Sequence, residues 1–177
     1  MRIIGGKAAG LRLNPPQNLP VRPTTDIAKE ALFNILNNRI DFDGLECLDL
    51  FAGTGNISFE LASRGVKKVN AVDLHGKCVL YITETAKKLD LSQIKARKSD
   101  VFKFIKADKE SYDLIFADPP YDLGQLPLLA SMVLENNLLK EGGLLIVEHP
   151  SNRKMIDHPN FVETRQYGNS SFSFYSK

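Results

Sequence analysis

The residues Asp118-Pro119-Pro120-Tyr121 form the segment whose composition most clearly suits a chemical reaction. Proline cannot donate a backbone hydrogen bond, so the carbonyl groups of this segment are left as acceptors. The Asp118 carboxylate and the Pro119 carbonyl can together accept both N–H bonds of a planar amine, such as the exocyclic amine of a nucleobase. This draws the nitrogen toward tetrahedral geometry and directs its lone pair at a methyl group, so catalysis depends on placement and charge stabilisation. Tyr121 offers a flat face for a base taken out of its stack.

A second segment, Asp49-Leu-Phe-Ala-Gly-Thr-Gly55-Asn56, predicts a cofactor loop after a buried strand. Its glycines permit a tight turn, and the helix that follows directs free amides and its positive end at a ligand. Ser58 stands where a dinucleotide fingerprint needs a third glycine, which disfavours NAD without excluding it. Since an unpaired carboxylate in an apolar strand is costly, we expect the glycine-loop amides or a cofactor amino group to bind Asp49. The predicted cofactor-binding residues here are Asp49, Phe51, Ala52, Gly53, Thr54 and Gly55.

Two further carboxylates end the next two predicted strands. Asp73 lies eighteen residues after Gly55 and can accept both hydroxyls of an adenosine ribose, a demand that NAD and S-adenosylmethionine share. Asp100 can accept a hydrogen bond from the adenine amino group, although its type and position also suit a helix N-cap before Val101. The adjoining Leu74 and Val101 complete the predicted cofactor site.

The elements that must position these residues alternate between strand and helix. Strands with apolar runs on both faces, separated by helices, predict an α/β fold with a doubly wound, seven-stranded, mainly parallel sheet. In such sheets ligands bind at the carboxyl ends of the strands. The predicted strands are 47–51, 68–73, 94–96, 112–117 and 144–148, followed by an antiparallel hairpin at 161–166 and 172–175.

A helix is predicted to begin after Pro23, with Thr24 or Thr25 as its N-cap. Apolar residues at three- and four-residue spacing predict that one stripe of this helix faces the core. The stripe comprises Ile27, Ala28, Ala31, Leu32, Ile35 and Leu36.

The amino-terminal segment predicts a separate role. Residues 2–12 suggest two short strands around a glycine turn, and we divide the chain into a basic hairpin and linker (1–23) and a catalytic domain (24–177). Residues 1–24 carry a net charge of +4 and residues 150–177 carry +2, whereas the middle carries 15 basic and 19 acidic side chains. Basic ends on a near-neutral body fit a polyanionic partner, but they also fit an exposed segment that charge keeps in solution.

Several classes of protein are disfavoured. No apolar run approaches the roughly 20 residues that span a bilayer, and no signal-peptide core is present, so we expect a cytoplasmic protein without a membrane partner. Cys47 and Cys78 are expected to be reduced thiols in a strand and a helix, which disfavours a covalent cysteine mechanism. The three histidines lack paired ligand spacing, so no metal is expected and metal-assisted hydrolysis is disfavoured. Glu148-His149 is interpreted as an ordinary polar end of a strand.

Together the motifs closely resemble the bacterial RsmD family, the 16S ribosomal RNA guanine(966)-N2 methyltransferases. The glycine loop and the Asp-Pro-Pro-Tyr loop are common to many amino-methyltransferases, whereas the amino-terminal motifs are more specific. The matching motifs are Arg2-Ile-Ile-Gly-Gly-Lys7, Leu11-Arg-Leu13, Val21-Arg-Pro-Thr24, Lys29-Glu-Ala-Leu-Phe-Asn-Ile-Leu36, Leu48-Asp-Leu-Phe-Ala-Gly-Thr-Gly55, Ser63-Arg-Gly65, Asp118-Pro-Pro-Tyr121 and Tyr167-Gly168.

The resemblance implies a Rossmann-like class I methyltransferase with S-adenosyl-L-methionine as cofactor. Asp118 and Pro119 would hold the guanine N2 amine, with Tyr121 stacked on the base. Asp73 and Asp100 would hold the adenosine. Arg22 and Thr24 would lie near the methionine end of the cofactor. The partner would be 16S rRNA, expected within an assembled small-subunit particle, and the candidate RNA-binding residues are Arg2, Lys7 and Arg12.

The chain departs from the family pattern near the second strand. Asp73 stands where glutamate is usual, and Leu74-His-Gly-Lys77 differs from the commoner sequence there. These differences affect the predicted contact with the ribose, and they do not affect the predicted reaction.

Other functions stay open on the sequence alone. The acceptor pair serves adenine N6 as well as guanine N2, so a different exocyclic-amine methyltransferase on RNA or DNA is the nearest alternative. A non-catalytic RNA-binding factor and an NAD-dependent oxidoreductase are the others.

Overall fold

The computed structural model describes residues 1–21 and 24–177. A short 3-10 turn, Leu126–Leu128, precedes the last helix. In chain order the helices and strands of this part of the chain are α1 (Asp26–Asn37), β1 (Glu46–Leu50), α2 (Asn56–Ser63), β2 (Lys68–Asp73), α3 (Gly76–Lys88), β3 (Ile94–Lys98), α4 (Val101–Ala107), β4 (Tyr112–Ala117), α5 (Leu129–Glu135), β5 (Leu139–Pro150), β6 (Phe161–Tyr167) and β7 (Ser170–Ser176).

The strands form one sheet in the order β3-β2-β1-β4-β5-β7-β6. Strand β1 pairs in parallel with β2 on one side and with β4 on the other. The winding of the chain reverses at this point, which is where ligands bind in open α/β sheets. Strands β6 and β7 close the sheet as an antiparallel hairpin. The predicted doubly wound, mainly parallel sheet is therefore confirmed.

Both faces of the sheet are covered by apolar side chains. One buried cluster joins α1, α2 and α3 to the sheet, with Leu32, Phe59 and Ile82 among its members. The other joins α4 and α5 to the opposite face, through residues such as Ile105 and Val133. Burial on both faces explains why the central strands carry apolar residues at consecutive positions, such as residues 114–117 of β4. No helix in residues 1–21 and 24–177 is long and apolar enough to cross a membrane.

Helix α1 begins after Thr25, whose side chain accepts a hydrogen bond from the Ala28 N–H at 3.2 Å. Of the two predicted caps, Thr25 is therefore the one used, and the Thr24 hydroxyl is left to face the sheet. The predicted apolar stripe is wrong at Ile27, which is 80% exposed, whereas Lys29 is fully buried. Lys29 tolerates burial because it forms an ion pair with Glu60 of α2.

The amino-terminal segment folds back on itself, as expected, but it does not form two strands. Its ladder is a single antiparallel bridge between Arg2 and Arg12, supported by backbone hydrogen bonds such as Ile3 N–H to Leu11 O. A glycine-rich loop of tight turns occupies the space between. The segment is held instead by the rest of the fold, since Ile3 is buried in the core.

Candidate active site

Carboxylates converge at the carboxyl ends of the central strands. Asp49 lies on β1, Asp73 ends β2, Asp118 follows β4 and Glu148 lies near the end of β5. Since β2, β1, β4 and β5 are adjacent and parallel, these ends share one edge of the sheet. The Asp118 N–H also donates to the Leu50 carbonyl at 3.3 Å, which joins the end of β4 to that of β1.

The glycine loop makes a compact turn between β1 and α2. Phe51, Gly53 and Gly55 have φ angles of +59°, +56° and +78°, a region that favours glycine. A Cβ atom on Gly55 would also lie within 2.9 Å of the Phe59 and Ile82 side chains, so this position has no room for a side chain. Ala52 and Thr54 are both buried in the turn. The predicted loop thus has the tight geometry that its glycines indicate.

Asp49 has a partner in α2 that the sequence did not indicate. Its carboxylate accepts a hydrogen bond from the Ser58 hydroxyl at 2.6 Å, from the first turn of α2. The glycine-loop amide of Gly53 instead donates to Asp73. Ser58, which stands in place of the third glycine of a dinucleotide fingerprint, therefore supplies a hydroxyl that glycine could not.

Asp73 is buried and fastens the loop to the neighbouring strand. One carboxylate oxygen accepts the Gly53 N–H at 2.8 Å, and the other accepts the His75 N–H at 2.9 Å. A carboxylate offers about four lone-pair sites, so acceptor capacity remains on both oxygens. Leu74 is 55% exposed beside it.

Asp100 caps α4, as one interpretation of the sequence predicted. Its side chain accepts the Lys103 N–H at 3.0 Å through Oδ1. Val101 is buried, and the neighbouring Phe102 packs edge-on against Phe51 of the glycine loop at 6.2 Å between ring centroids. The Asp100 end of α4 therefore lies beside the glycine loop.

The loop after β4 is held from outside by an arginine. Asp118 is half-buried, Pro119 is buried, and Pro120 and Tyr121 are exposed. Arg153 donates to the Tyr121 carbonyl at 3.0 Å and to the Gly124 carbonyl at 3.3 Å. The sequence interpretation counted Arg153 only as a basic residue of the tail, and no spacing signal connects it to this loop.

Thr24 joins two of the carboxylates. Its Oγ1 lies 3.3 Å from Asp118 Oδ2 and 3.4 Å from Glu148 Oε2. Glu148 also hydrogen-bonds with Ser170 and Tyr121, whose hydroxyl groups contact each other. The interpretation of Glu148 as an ordinary strand end misses this. One feature of the sequence could have indicated Glu148 as a site residue. It is a carboxylate near the end of an apolar strand, as Asp73 is.

Three of these carboxyl groups have raised pKa values, chiefly because they are buried. Burial raises the pKa of Asp49 to about 7, although the Ser58 hydrogen bonds oppose the shift. Burial, and then the charges of Glu148 and Asp49, hold the pKa of Asp118 well above its usual value. Burial also raises the pKa of Glu148 to about 7. Within the described residues, no group of three or more His, Cys, Asp and Glu side chains is arranged to hold a metal ion.

A buried polar network supports Thr24 from behind. The Asn56 amide donates to the Thr24 carbonyl at 3.1 Å, and its oxygen accepts from Lys29 Nζ at 2.8 Å. Lys29 also contacts Glu60 at 3.3 Å and the Arg2 carbonyl. Glu60 accepts the amide protons of two residues of the amino-terminal segment, Ile4 and Gly5. The network thus links that segment to the site.

The other predicted site residues are more scattered. Arg22 lies outside the described residues. Arg2 is half-buried, whereas Lys7 and Arg12 are exposed. Lys7 lies by the carboxyl end of α2, where its N–H donates to the Ser63 carbonyl at 2.8 Å. The glycine loop is at the opposite end of that helix, so Lys7 is not part of the carboxylate cluster.

Both cysteines are in the elements predicted for them and are buried. Cys47 lies in β1 and Cys78 in α3, each with no exposed surface. Burial raises the pKa of Cys78 to about 11 and also raises that of Cys47. Neither thiol has the accessible, ionised form that a nucleophile requires.

Comparison with known proteins identifies the family. The family model described as "Conserved hypothetical protein 95" matches residues 1–176. The chain belongs to this family, the RsmD family. The chain is 32% identical to the ribosomal RNA small subunit methyltransferase D of Haemophilus influenzae over 166 residues, which cover 92% of this chain and 85% of that protein.

Solved structures similar to this RsmD-family chain span its whole length. The Escherichia coli protein yhhF superposes with a TM-score of 0.85 at 25% identity, covering 99% of this chain and 96% of that one. A hypothetical protein from Thermus thermophilus superposes with a TM-score of 0.84 at 29% identity, covering 100% and 99%. The similarity therefore includes the amino-terminal segment as well as the sheet.

The structure gives a physical reason for several RsmD-family motifs outside the site. Lys29 and Ser63-Arg64 belong to the surface that receives the amino-terminal segment. The Ser63 hydroxyl donates to the Gly5 carbonyl at 2.6 Å and accepts the Ala8 N–H at 2.9 Å. These motifs therefore hold residues 1–13 in place against the rest of the fold.

Proposed function

We propose that this protein is an S-adenosylmethionine-dependent methyltransferase that modifies the exocyclic N2 amine of a guanine in 16S rRNA. The observation that carries the proposal is the position of Asp118-Pro119-Pro120-Tyr121. This loop lies at the switch point of the sheet, next to the glycine loop of β1. The relatives named rRNA methyltransferases support the choice of substrate, because they match nearly the whole chain.

The donor set fits the proposed cofactor. S-adenosylmethionine carries a sulfonium and an ammonium charge, and four carboxylates lie along the edge of the sheet that would receive it. Asp49 is buried among them and has one hydroxyl partner, so a cation would offset its cost of burial. Asp73 would accept the ribose hydroxyls with its remaining lone pairs, and Asp100 the adenine amine. Phe51, Ala52, Gly53, Thr54, Gly55, Leu74 and Val101 would line the remainder, with Thr24 and Arg22 at the methionine end.

The chain's own groups would position and activate the amine. When bound, the cofactor supplies an electrophilic methyl group on sulfur. The Asp118 carboxylate and the Pro119 carbonyl accept the two N–H bonds of the amine, and Tyr121 stacks against the base. As the nitrogen donates its electron pair to the methyl carbon, the methyl–sulfur bond would break and leave its electron pair on sulfur. The nitrogen would become positive, and the nearby carboxylate would stabilise that charge. A proton then leaves the nitrogen for Asp118 or for water.

The RNA would reach the site across the basic amino-terminal segment. We propose residues 1–23 as an RNA-contacting extension, with Lys7 and Arg12 on its exposed side and Arg2 nearer its base. An assembled small-subunit particle is the substrate that fits best, because a single domain of 177 residues has little surface for sequence readout. This substrate also fits a cytoplasmic protein.

Methyl transfer to small ribosomal particles tests the proposal directly. Particles from a strain that lacks this enzyme would be incubated with methyl-labelled cofactor, and the labelled nucleoside would be identified and mapped. We expect label on N2 of one guanine in 16S rRNA. Label on adenine would reject the guanine assignment, and nicotinamide binding without methyl transfer would favour an oxidoreductase.

The variant Asp118→Ala tests the mechanism. We expect a loss of transfer of at least about 100-fold, because one half of the acceptor pair and its charge are removed. Binding of S-adenosylmethionine, measured by calorimetry, should persist. Asp122→Ala is the matched control, since Asp122 is exposed in the same loop and lies outside the acceptor pair. Transfer by Asp118→Ala at the wild-type rate would contradict the mechanism.

A further inference from the structure

Glu148 is a second carboxylate beside the catalytic loop, more deeply buried than Asp118, and the mechanism above does not use it. It is 4% exposed and lies on β5, the strand next to β4. Its Oε2 and Asp118 Oδ2 are both within 3.4 Å of the same Thr24 hydroxyl oxygen. Two carboxylates thus flank one small group at the end of the sheet where the base would bind.

The surroundings of Glu148 leave it able to accept another hydrogen bond. A hydroxyl group has one proton, so Thr24 can donate to Asp118 or to Glu148 but not to both at once. The remaining partners are the hydroxyl groups of Ser170 and Tyr121. Both contacts can rearrange, since a hydroxyl proton rotates freely and Tyr121 is 40% exposed. A carboxylate with about four lone-pair sites is not saturated by this set.

The nucleobases differ at the atom next to the reacting amine. In guanine, N1 carries a hydrogen and is a donor beside the N2 amine. In adenine, N1 is a bare acceptor beside the N6 amine. A carboxylate there would accept the guanine N1–H but would face the lone pair of adenine N1. A site built to pair with an N–H strongly rejects an analogue that lacks it, because a buried polar group is left unpaired.

We propose that Glu148 selects guanine by accepting its N1–H, while Asp118 and Pro119 hold the N2 amine. The inference rests on the proposed function, because it concerns the base that enters the same site. In the free protein the Tyr121 hydroxyl hydrogen-bonds with Glu148. When a base enters and Tyr121 turns its ring against it, the base N1–H takes the place of that hydroxyl. The Asp-Pro-Pro-Tyr loop then provides the reaction, and β5 provides the choice of base.

The test replaces guanine by 2-aminopurine at the target position. This base keeps the exocyclic amine at C2 but has a bare acceptor at N1. Small ribosomal subunits would be reconstituted with 16S rRNA that carries either base at that position, and kcat/KM for methyl transfer measured for both. We expect the wild-type protein to prefer guanine by about 100-fold or more. A wild-type preference below about 10-fold would overturn the proposal without any variant.

The variant Glu148→Gln then assigns the preference to this residue. Glutamine has the same shape and can either accept from a guanine N1–H or donate to a bare N1. We expect the preference to fall to about 10-fold or less, mainly because 2-aminopurine becomes a better substrate. An unchanged preference would overturn the proposal, even if both rates fell, and would leave Glu148 a positioning role.

Ser170→Ala is the matched control. It removes a hydroxyl partner of Glu148 and keeps the carboxylate, so we expect both substrates to slow by the same factor. Thermal unfolding and calorimetric binding of S-adenosylmethionine would verify that each variant folds. The proposed function has a separate readout, since it depends on transfer to guanine by the wild-type protein, whatever the ratio between the two bases.

Discussion

Two regions of this protein bury carboxylates, and they do so in opposite ways. In the amino-terminal anchor, which we define as Lys29, Glu60, Arg64 and the residues they hold, Glu60 contacts Lys29 at 3.3 Å and Arg64 at 3.0 Å. At the carboxylate edge, which we define as Asp49, Asp73, Asp118 and Glu148, the partners described above are hydroxyl and amide groups.

The two regions differ in whether the free protein already contains counter-charges for the buried carboxylates. The anchor contains its own counter-charges and satisfies Glu60 with backbone amides as well, so it is complete in the free protein. At the carboxylate edge, burial raises the pKa values of Asp49, Asp118 and Glu148, and repulsion from neighbouring carboxylates raises those of Asp49 and Asp118 further. Raised pKa values without counter-charges are typical of functional sites, since a ligand can supply the missing charge.

The largest expected effect is a loss of stability when the amino-terminal anchor is disrupted. Glu60→Ala would leave Lys29 buried without its counter-charge, and we expect the free energy of unfolding to fall by about 3–5 kcal/mol. Denaturant unfolding would measure it. The control is Lys67→Ala, because the Lys67 side chain of the Lys67–Glu46 pair is 68% exposed, and a change within about 0.5 kcal/mol is expected. Equal losses in the two variants would mean that the anchor is no stronger than a surface ion pair.

At the carboxylate edge we expect a smaller effect of opposite sign, which is a gain in the free energy of unfolding. The pKa of Asp49 is raised to about 7, from an ordinary value of 3.8, so between these pH values the folded state binds more protons than the unfolded state. Stability therefore falls as pH rises through that range. Asp49→Asn removes this penalty while its side chain can still pair with Ser58. We expect a gain of roughly 1–3 kcal/mol at pH 8 and almost none near pH 4.

Unfolding at both pH values would measure this gain, with the exposed Asp122→Asn as control. A loss of stability at pH 8 would mean that the Asp49 carboxylate is compensated in the free protein, as Glu60 is. The contrast between the two regions would then disappear.

The smallest effect concerns the outer side of the amino-terminal segment. Its inner side is held by Glu60 and Ser63, whereas Lys7 and Arg12 are exposed. If both contact phosphates, the double variant Lys7→Ala/Arg12→Ala should weaken RNA binding several-fold and reduce the slope of log affinity against log salt by about 2. Binding titrations at several salt concentrations would measure the slope. An unchanged slope would leave the segment a structural role.

Much of the fold could be predicted because its signals are local. Apolar runs of strand length, glycine turns and helix caps are each set by a few neighbouring residues. The order of the elements along the chain and the closing hairpin therefore follow. The predicted amino-terminal strands are wrong because distant residues, rather than neighbouring ones, decide the conformation of this segment. Short segments on either side of a glycine turn suggested pairing, but a single bridge forms, and long-range contacts to α2 decide the conformation.

The features of the candidate site can also be separated into those set by neighbouring residues and those set by distant ones. Residue types and spacing by themselves determined the glycine loop, the Asp118-Pro119-Pro120-Tyr121 loop and the reaction they suit. Only the tertiary structure decided that Ser58 partners Asp49, that Arg153 holds the loop after β4, and that Thr24 joins Asp118 to Glu148. Thr24 and Glu148 are 124 residues apart. No local pattern can indicate such a contact, because it exists only once parallel strands bring their ends to one edge of the sheet.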